Sequence, residues 1–268
     1  MSARAISGDL SVWSINSVSQ LAFLGDASIM IDHEDVDGSP ITRIYESSQI
    51  VGSSGTVKCS LMSVLTGATK INNLDVSAFT VGGTSYLAGL DSGSLQVEWT
   101  HQEGKAVGTQ WAYPVVTKKK ISMDATLKIP TSGGGGLMLL MDSATSGLEV
   151  VASITINSVA TTFAGLLKSI DHTFAHGDVQ KYKVQIKGRN PDTGTFPAAP
   201  TGTTTILELF LNTLSSISFA ITAKASGGSV YSGNMLPKSL NMQWANGQLV
   251  MVDVEFATQG AVTITESA

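Results

Sequence analysis

Residues 120–129, KISMDATLKI, alternate without a break. Ile121, Met123, Ala125, Leu127 and Ile129 share one side of an extended chain, and Lys120, Ser122, Asp124, Thr126 and Lys128 take the other. Successive side chains of a strand point to opposite faces, so a period of two predicts a strand with one buried face. Leu95, Val97 and Trp99, set against Gln96, Glu98 and Thr100, follow the same rule.

The outline of strand, polar turn and strand recurs. It runs over 28–63, from SIMIDH through the turn DVDGSP to TVKCSLMS, and over 94–129, from SLQVEWTHQEG to KKKISMDATLKI. Residues 169–188 and 239–257 repeat it with the short turns AHGD and ANGQ, whose Gly and Asn permit the positive φ of tight connections. Internal duplication would give such a recurrence. So would any antiparallel sheet.

Two stretches read as helices. Residues 134–144 follow a glycine run, and 203–215 place Ile206, Leu209, Phe210 and Leu214 near one helical stripe. A strand follows each, EVVASITI and then SISFAITA. The predicted fold class is mainly β (α+β): an antiparallel β-sandwich or barrel with one or two short flanking helices. Long exposed hairpin loops are expected at 104–118, 189–205 and 225–238. Residues 94–268 form the principal β-sandwich domain. Residues 1–93 form a β-rich segment that can belong to the same domain.

The totals narrow the function. A chain of 268 residues can bury about 75% of its unfolded surface, enough for a core without disulfides or metal. With 43% hydrophobic residues and a formal charge of −5 it is neither disordered nor a general nucleic-acid binder. The single cysteine, Cys59 in TVKCSLMS, reads as a buried, inert thiol. MSARAISGDLSVW lacks a signal-like apolar stretch, and no run approaches the ~20 apolar residues of a membrane span, so a soluble protein made in a cytoplasm is expected.

The usual marks of catalysis are missing. The sequence has no Gly-x-Ser-x-Gly elbow, and Gly104-Lys105 is followed by Ala106 rather than Ser or Thr. Asp35, Asp37 and Gly38 begin like a calcium loop, but counting from His33 the position for the bidentate Glu is Ile44. His33, His101, His172 and His176 have no metal-ligand spacing. No enzyme activity, cofactor or metal is therefore expected.

Three features remain as candidates for contact with another molecule. Lys118, Lys119 and Lys120 enter a strand together, either as a device against aggregation or to meet an acidic surface of another copy. Trp111 and Tyr113 lie in the polar loop TQWAYP and suit an interface anchor, whereas Trp99 and Trp244 lie on alternating faces and suit the core. Asp35, Asp37, Glu98 and Glu103 are the candidate loop or lumen acids.

The block 94–165 resembles the tail tube (major tail) proteins of long-tailed bacteriophages. The likeness is carried by SLQVEW, the aromatic segment GTQWAYP, the lysine-rich entry TKKKISMDATLKI, the small-residue helix GGGGLMLLMDSATSG and the strand LEVVASITI. It implies a β-sandwich or barrel whose sheet edges join copies into rings, usually hexameric. Rings stack into a tube through loops and termini, and DNA passes through the lumen without specific binding. Other partners implied are the tape measure, tail terminator and baseplate or distal tail proteins. The implied location is the virion tail, assembled in the host cytoplasm, with no membrane partner. True duplication would instead allow a trimer of pseudo-sixfold symmetry, although the chain is short for two complete tube domains.

Two other readings compete. A β-sandwich adhesin of a virion could use Trp111 and Tyr113 to stack on a surface glycan. An enzyme on a β scaffold could pair carboxylates among Asp32, Glu34, Glu98 and Glu103.

Overall fold

The computed structural model describes residues 10–15, 18–19, 24–37, 48–62, 76–104, 110–128, 150–156, 159–174, 179–188, 216–223, 228–245 and 250–266, together with Met138 and Phe210. In chain order the strands are β1 (Leu10–Ile15), β2 (Val18–Ser19), β3 (Leu24–Asp37), β4 (Ser48–Met62) and β5 (Val76–Val81). Next come β6 (Thr84–Ser85), β7 (Leu90–Gln102), β8 (Val115–Lys128), β9 (Val150–Ile156) and β10 (Val159–Thr173). The last are β11 (Lys181–Gly188), β12 (Ile217–Ala223), β13 (Ser229–Ala245), β14 (Met251–Thr258) and β15 (Thr263–Glu266).

Among the described residues the fold is nearly all β. The hairpins expected from the recurrence are antiparallel pairs: β3 with β4, β7 with β8, β10 with β11, and β13 with β14. The predicted alternation holds, with Leu95, Val97, Trp99, Ile121, Met123, Ala125 and Leu127 all buried. The predicted helices at 134–144 and 203–215 lie outside the described residues, except Met138 and Phe210, both helical.

Three expectations need correction, and long-range pairing explains each. Asp35 and Asp37 are not in a turn, because β3 continues through them opposite Ile50 and Ser48 of β4. Residues 115–118 are strand, held by β7. Residues 229–238 belong to β13, which pairs there with β12 and β15.

The hydrogen-bonded path runs β2-β1-β12-β13-β7-β8-β11-β10-β9-β5-β6, with β14, β4 and β3 branching from β13. β13 is the junction. Residues 230–235 pair with β12 and residues 239–245 with β7, while the opposite edge pairs with β15 and then β14. A bulge between Pro237 and Ser239 marks the change. Proline lacks the amide donor of a regular ladder, so a bulge is where a strand accommodates it. Phe79 on β5 and Val57 on β4 lie far apart in this order yet share one buried cluster. The sheet therefore curls around a single core, and strands from both sides of residue 93 take part.

Gly93 is required by that core. A Cβ there would come within 2.5 Å of the Asp124 carbonyl oxygen and 2.6 Å of Trp244 Cζ2, so the buried indole occupies the space a side chain would need.

Candidate assembly surface

Across β3-β4-β14-β13-β7-β8 every neighbouring pair is antiparallel. One face of this six-stranded unit enters the core. The other is polar, and its registers line up in rows. One row reads Ser28, Lys58, Glu255, Ser239, Glu98, Lys120. The adjacent row reads Asp26, Ser60, Asp253, Asn241, Gln96, Ser122 and continues to Lys187 of β11.

Charges in these rows are tied to one another. Glu255 accepts from Lys238 Nζ at 2.6 Å and lies 3.5 Å from Lys58 Nζ. Partial burial pushes its carboxyl up, but the hydrogen bond and charge of Lys238, with the charge of Lys58, more than offset this and hold it below the ordinary carboxylate value. Ser60 donates its backbone N–H to Asp26 Oδ1 at 3.2 Å and its hydroxyl to Asp253 Oδ1 at 2.5 Å. Beneath them, burial and then the charges of Asp26 and Asp253 push the Cys59 thiol up to about 12, so it stays protonated and inert. Two shallow grooves, one over Gln96 and Asp124 and one over Lys58 and Asp253, meet at Asn241. Among the described residues no group of three or more His, Cys, Asp or Glu converges as a metal site.

The lysine triplet does not act as one patch. Lys118 and Lys120 are exposed on the polar face, opposite Thr100 and Glu98, whereas Lys119 points to the other face with its ammonium 5.0 Å from the Trp99 ring centroid. β11 covers β8 from Ile121, which lies against Gly188, to Lys128, so among the described residues no further strand lies beside residues 115–120.

The aromatic pair also divides. Ala112 donates its N–H to the Ser53 carbonyl at 2.8 Å, and Ser53 donates to the Gln110 carbonyl at 2.6 Å, which pins the loop to β4. Trp111 is half-buried and packs on the chain's own core. Tyr113 is 48% exposed, its ring beside Gly260. The two rings therefore form no joint exposed platform.

Of the candidate acids, Glu98 lies on the polar face between Lys120 and Ser239, and Glu103 is exposed just beyond β7. Asp35 and Asp37 have their backbone on β3. Sequence reasoning missed Lys58, Asp253 and Glu255. The alternation in MVDVEFAT, which sets Asp253 and Glu255 on one face, was the available signal.

The far end of the sheet differs in character. Lys128 pairs with Lys181, so the β10–β11 connection lies at the opposite end from the Trp111 loop. There Phe174 is 71% exposed, its ring 3.8 Å from His172, which stacks at 4.0 Å on the buried Tyr182.

No family model and no curated protein matches the chain. Among solved structures it is similar to a chain of the virion of a native gene transfer agent particle, with 11% identity and a TM-score of 0.37, covering 43% of this chain and 92% of that one. It is also similar to a chain of the tail of an empty gene transfer agent particle, solved by helical refinement with C6 symmetry, with 11% identity and a TM-score of 0.35, covering 41% of this chain and 83% of that one.

Proposed function

We propose that this chain is a structural subunit of a phage tail tube, a non-enzymatic protein that assembles into stacked rings through which DNA leaves the particle. One observation carries the reading: a six-stranded antiparallel unit with one face in the core, a polar face turned outward and, among the described residues, no further strand beside β3 or beside residues 115–120 of β8. In a monomer such edges invite uncontrolled pairing, and in a closed ring each is satisfied by a neighbour. The polar face would line the lumen. There Lys58 and Lys238 share Glu255, and Lys120 faces Glu98, so positive charge is answered locally and offers no continuous track to grip phosphate.

Head-to-tail contacts that close give a ring, and the sequence resemblance favours six copies. The aromatic end at Phe174 and the opposite end at Tyr113 are then the surfaces by which rings stack. Tape measure, terminator and distal tail proteins complete the set of partners. The protein's place is the virion tail, assembled in the host cytoplasm.

The test is negative-stain electron microscopy of the purified protein across a concentration series. Rings or hollow tubes of uniform diameter are expected. Uniform monomers at high concentration in several salts would sink the proposal.

A further inference from the structure

The three rings at the β10–β11 end form a post. Tyr182 is buried, His172 stacks on it with an interplanar angle of 18°, and Phe174 leans on His172 while staying 71% exposed. The Tyr182 hydroxyl donates to Gln180 Oε1 at 3.0 Å, which fixes the base of the stack. An exposed aromatic ring held in place beforehand loses little freedom on contact, and that is what an interface anchor needs. Val179, on the other limb of the same connection, is 49% exposed.

The opposite end offers a seat. Tyr113 and Val115 are both about half exposed there. Tyr113 donates its N–H to the Gly104 carbonyl at 2.6 Å and accepts from the Gly104 N–H at 3.2 Å. Gly260 donates to the Ala112 carbonyl at 3.0 Å. Its φ of 77° is left-handed, and a Cβ there would stand 3.2 Å from Tyr113 Cε2, so only a glycine lets the ring lie this close to the backbone.

Post and seat lie at the two ends of one strand. β8 starts two residues after Tyr113 and ends at Lys128, opposite Lys181, which in turn lies opposite Thr173. At about 3.3 Å per residue the 14 residues of β8 span about 45 Å. Two different surfaces at opposite ends make a heterologous contact, which repeats along the strand direction without closing.

Charge agrees. At the Phe174 end Lys128 and Lys181 stand directly opposite each other, where like charges repel. Asp91 reaches Lys128 at 2.6 Å, and Asp171 lies opposite Lys183. At the Tyr113 end Glu103 is exposed, and its neighbours in the bonded cluster, Gly104, Ala112, Tyr113 and Gly260, carry no charge. A carboxylate from outside complements the first end, and a lysine the second.

We propose that Phe174 of one copy seats against Tyr113 and Val115 of a copy in the next ring, with Lys181 meeting Glu103. This joint rests on the ring reading above. It assigns the aromatic post a specific occupant, the opposite end of a second copy of this chain.

Removing the post tests it. Phe174→Ala should leave the melting temperature of the single chain within error and rings unchanged, while tubes need about tenfold more protein by sedimentation velocity and microscopy. Lys181→Glu and Glu103→Lys should each weaken stacking in the same way. Both together in one chain restore opposite charges at every joint, and tubes should return at the natural concentration. If the natural chain forms tubes and Phe174→Ala does so equally well, or the double exchange fails to recover, the joint is wrong while the tube reading stands. Natural rings that never stack would also remove the joint and leave the ring. If the natural chain forms no assembly at all, both fall together. Carbodiimide cross-linking of natural tubes gives a reading independent of any variant's folding. Peptide mass spectrometry should find Lys181 joined to Glu103 of another copy, and cross-links from Lys181 only to other acids would overturn the joint.

Discussion

The two faces of the six-stranded unit are built from the same strands by the same alternation, yet they hold different kinds of information. On the inner face Val57, Val254, Phe256, Leu240, Leu95, Val97 and Ile121 are at most 3% exposed. Full burial of such a side chain contributes about 1.5–3 kcal/mol, so this face decides whether the chain folds. On the outer face Lys58, Glu255, Ser239, Glu98 and Lys120 occupy the same strands one residue out of phase. Exposed ion pairs contribute about 0–1 kcal/mol each, so this face adds little to folding. What it can supply is selectivity toward another surface.

The comparison can be broken most directly at Phe256. It is fully buried and tilted against Phe210 with centroids 5.0 Å apart. Phe256→Ala should cost about 3–5 kcal/mol in urea unfolding. Gly93→Ala comes next. The added methyl has nowhere to go between Trp244 and the Asp124 carbonyl, and a loss of about 1–3 kcal/mol is expected. A loss below the error of the measurement would mean that the backbone there yields.

The aromatic loop sharpens the contrast within one short segment. Trp111→Ala should lower the melting temperature of the unassembled chain, with a cost of about 1–2 kcal/mol for its half-buried ring. Tyr113→Ala should leave that temperature within error and act only on assembled rings.

Acid offers a graded test. Burial, reinforced by the Lys238 charge, lowers the His101 pKa below its ordinary 6.5, against the raising effect of a hydrogen bond that its ring donates to the Pro237 carbonyl. The unfolded chain therefore binds a proton at this site more readily than the folded one. Its contribution is whole above pH 6.5 and is lost as pH falls below that value. The melting temperature should drop between pH 7.5 and 5.5, and less so in His101→Gln. The Glu255 carboxyl, held low by its lysines, adds a second loss below about pH 4.5. The smallest effect expected is that of Glu255→Gln at neutral pH, at most about 1 kcal/mol. A larger loss would show that the outer face shares in folding after all.

Much of the inner face was legible in the sequence. Alternation marked Ile121, Met123, Ala125 and Leu127, and short Gly and Asn turns marked two of the hairpins, because both signals are local. What escaped depends on partners distant in sequence. Asp35 and Asp37 look like turn formers until β4 is placed beside them. Trp111 looks stranded in a polar loop until Ser53, more than fifty residues away, takes up the backbone of Ala112. The split of the lysine triplet was readable, since carrying the alternation back from Ile121 sets Lys119 apart from Lys118 and Lys120. The polar rows were not, because a row exists only once six strands have found their registers.

β13 has a mechanical consequence. It is the one strand bonded to β12, β15, β14 and β7, and it runs 17 residues through the junction of the sheet's branches. Pulling those branches apart along the strand direction would have to slide β13 lengthwise against rungs on both of its sides. Hydrogen bonds loaded in shear give way together, whereas those peeled from one end give way in turn. Such a load would run along this strand, and its weak point would be the Pro237–Ser239 bulge, where the ladder is already interrupted.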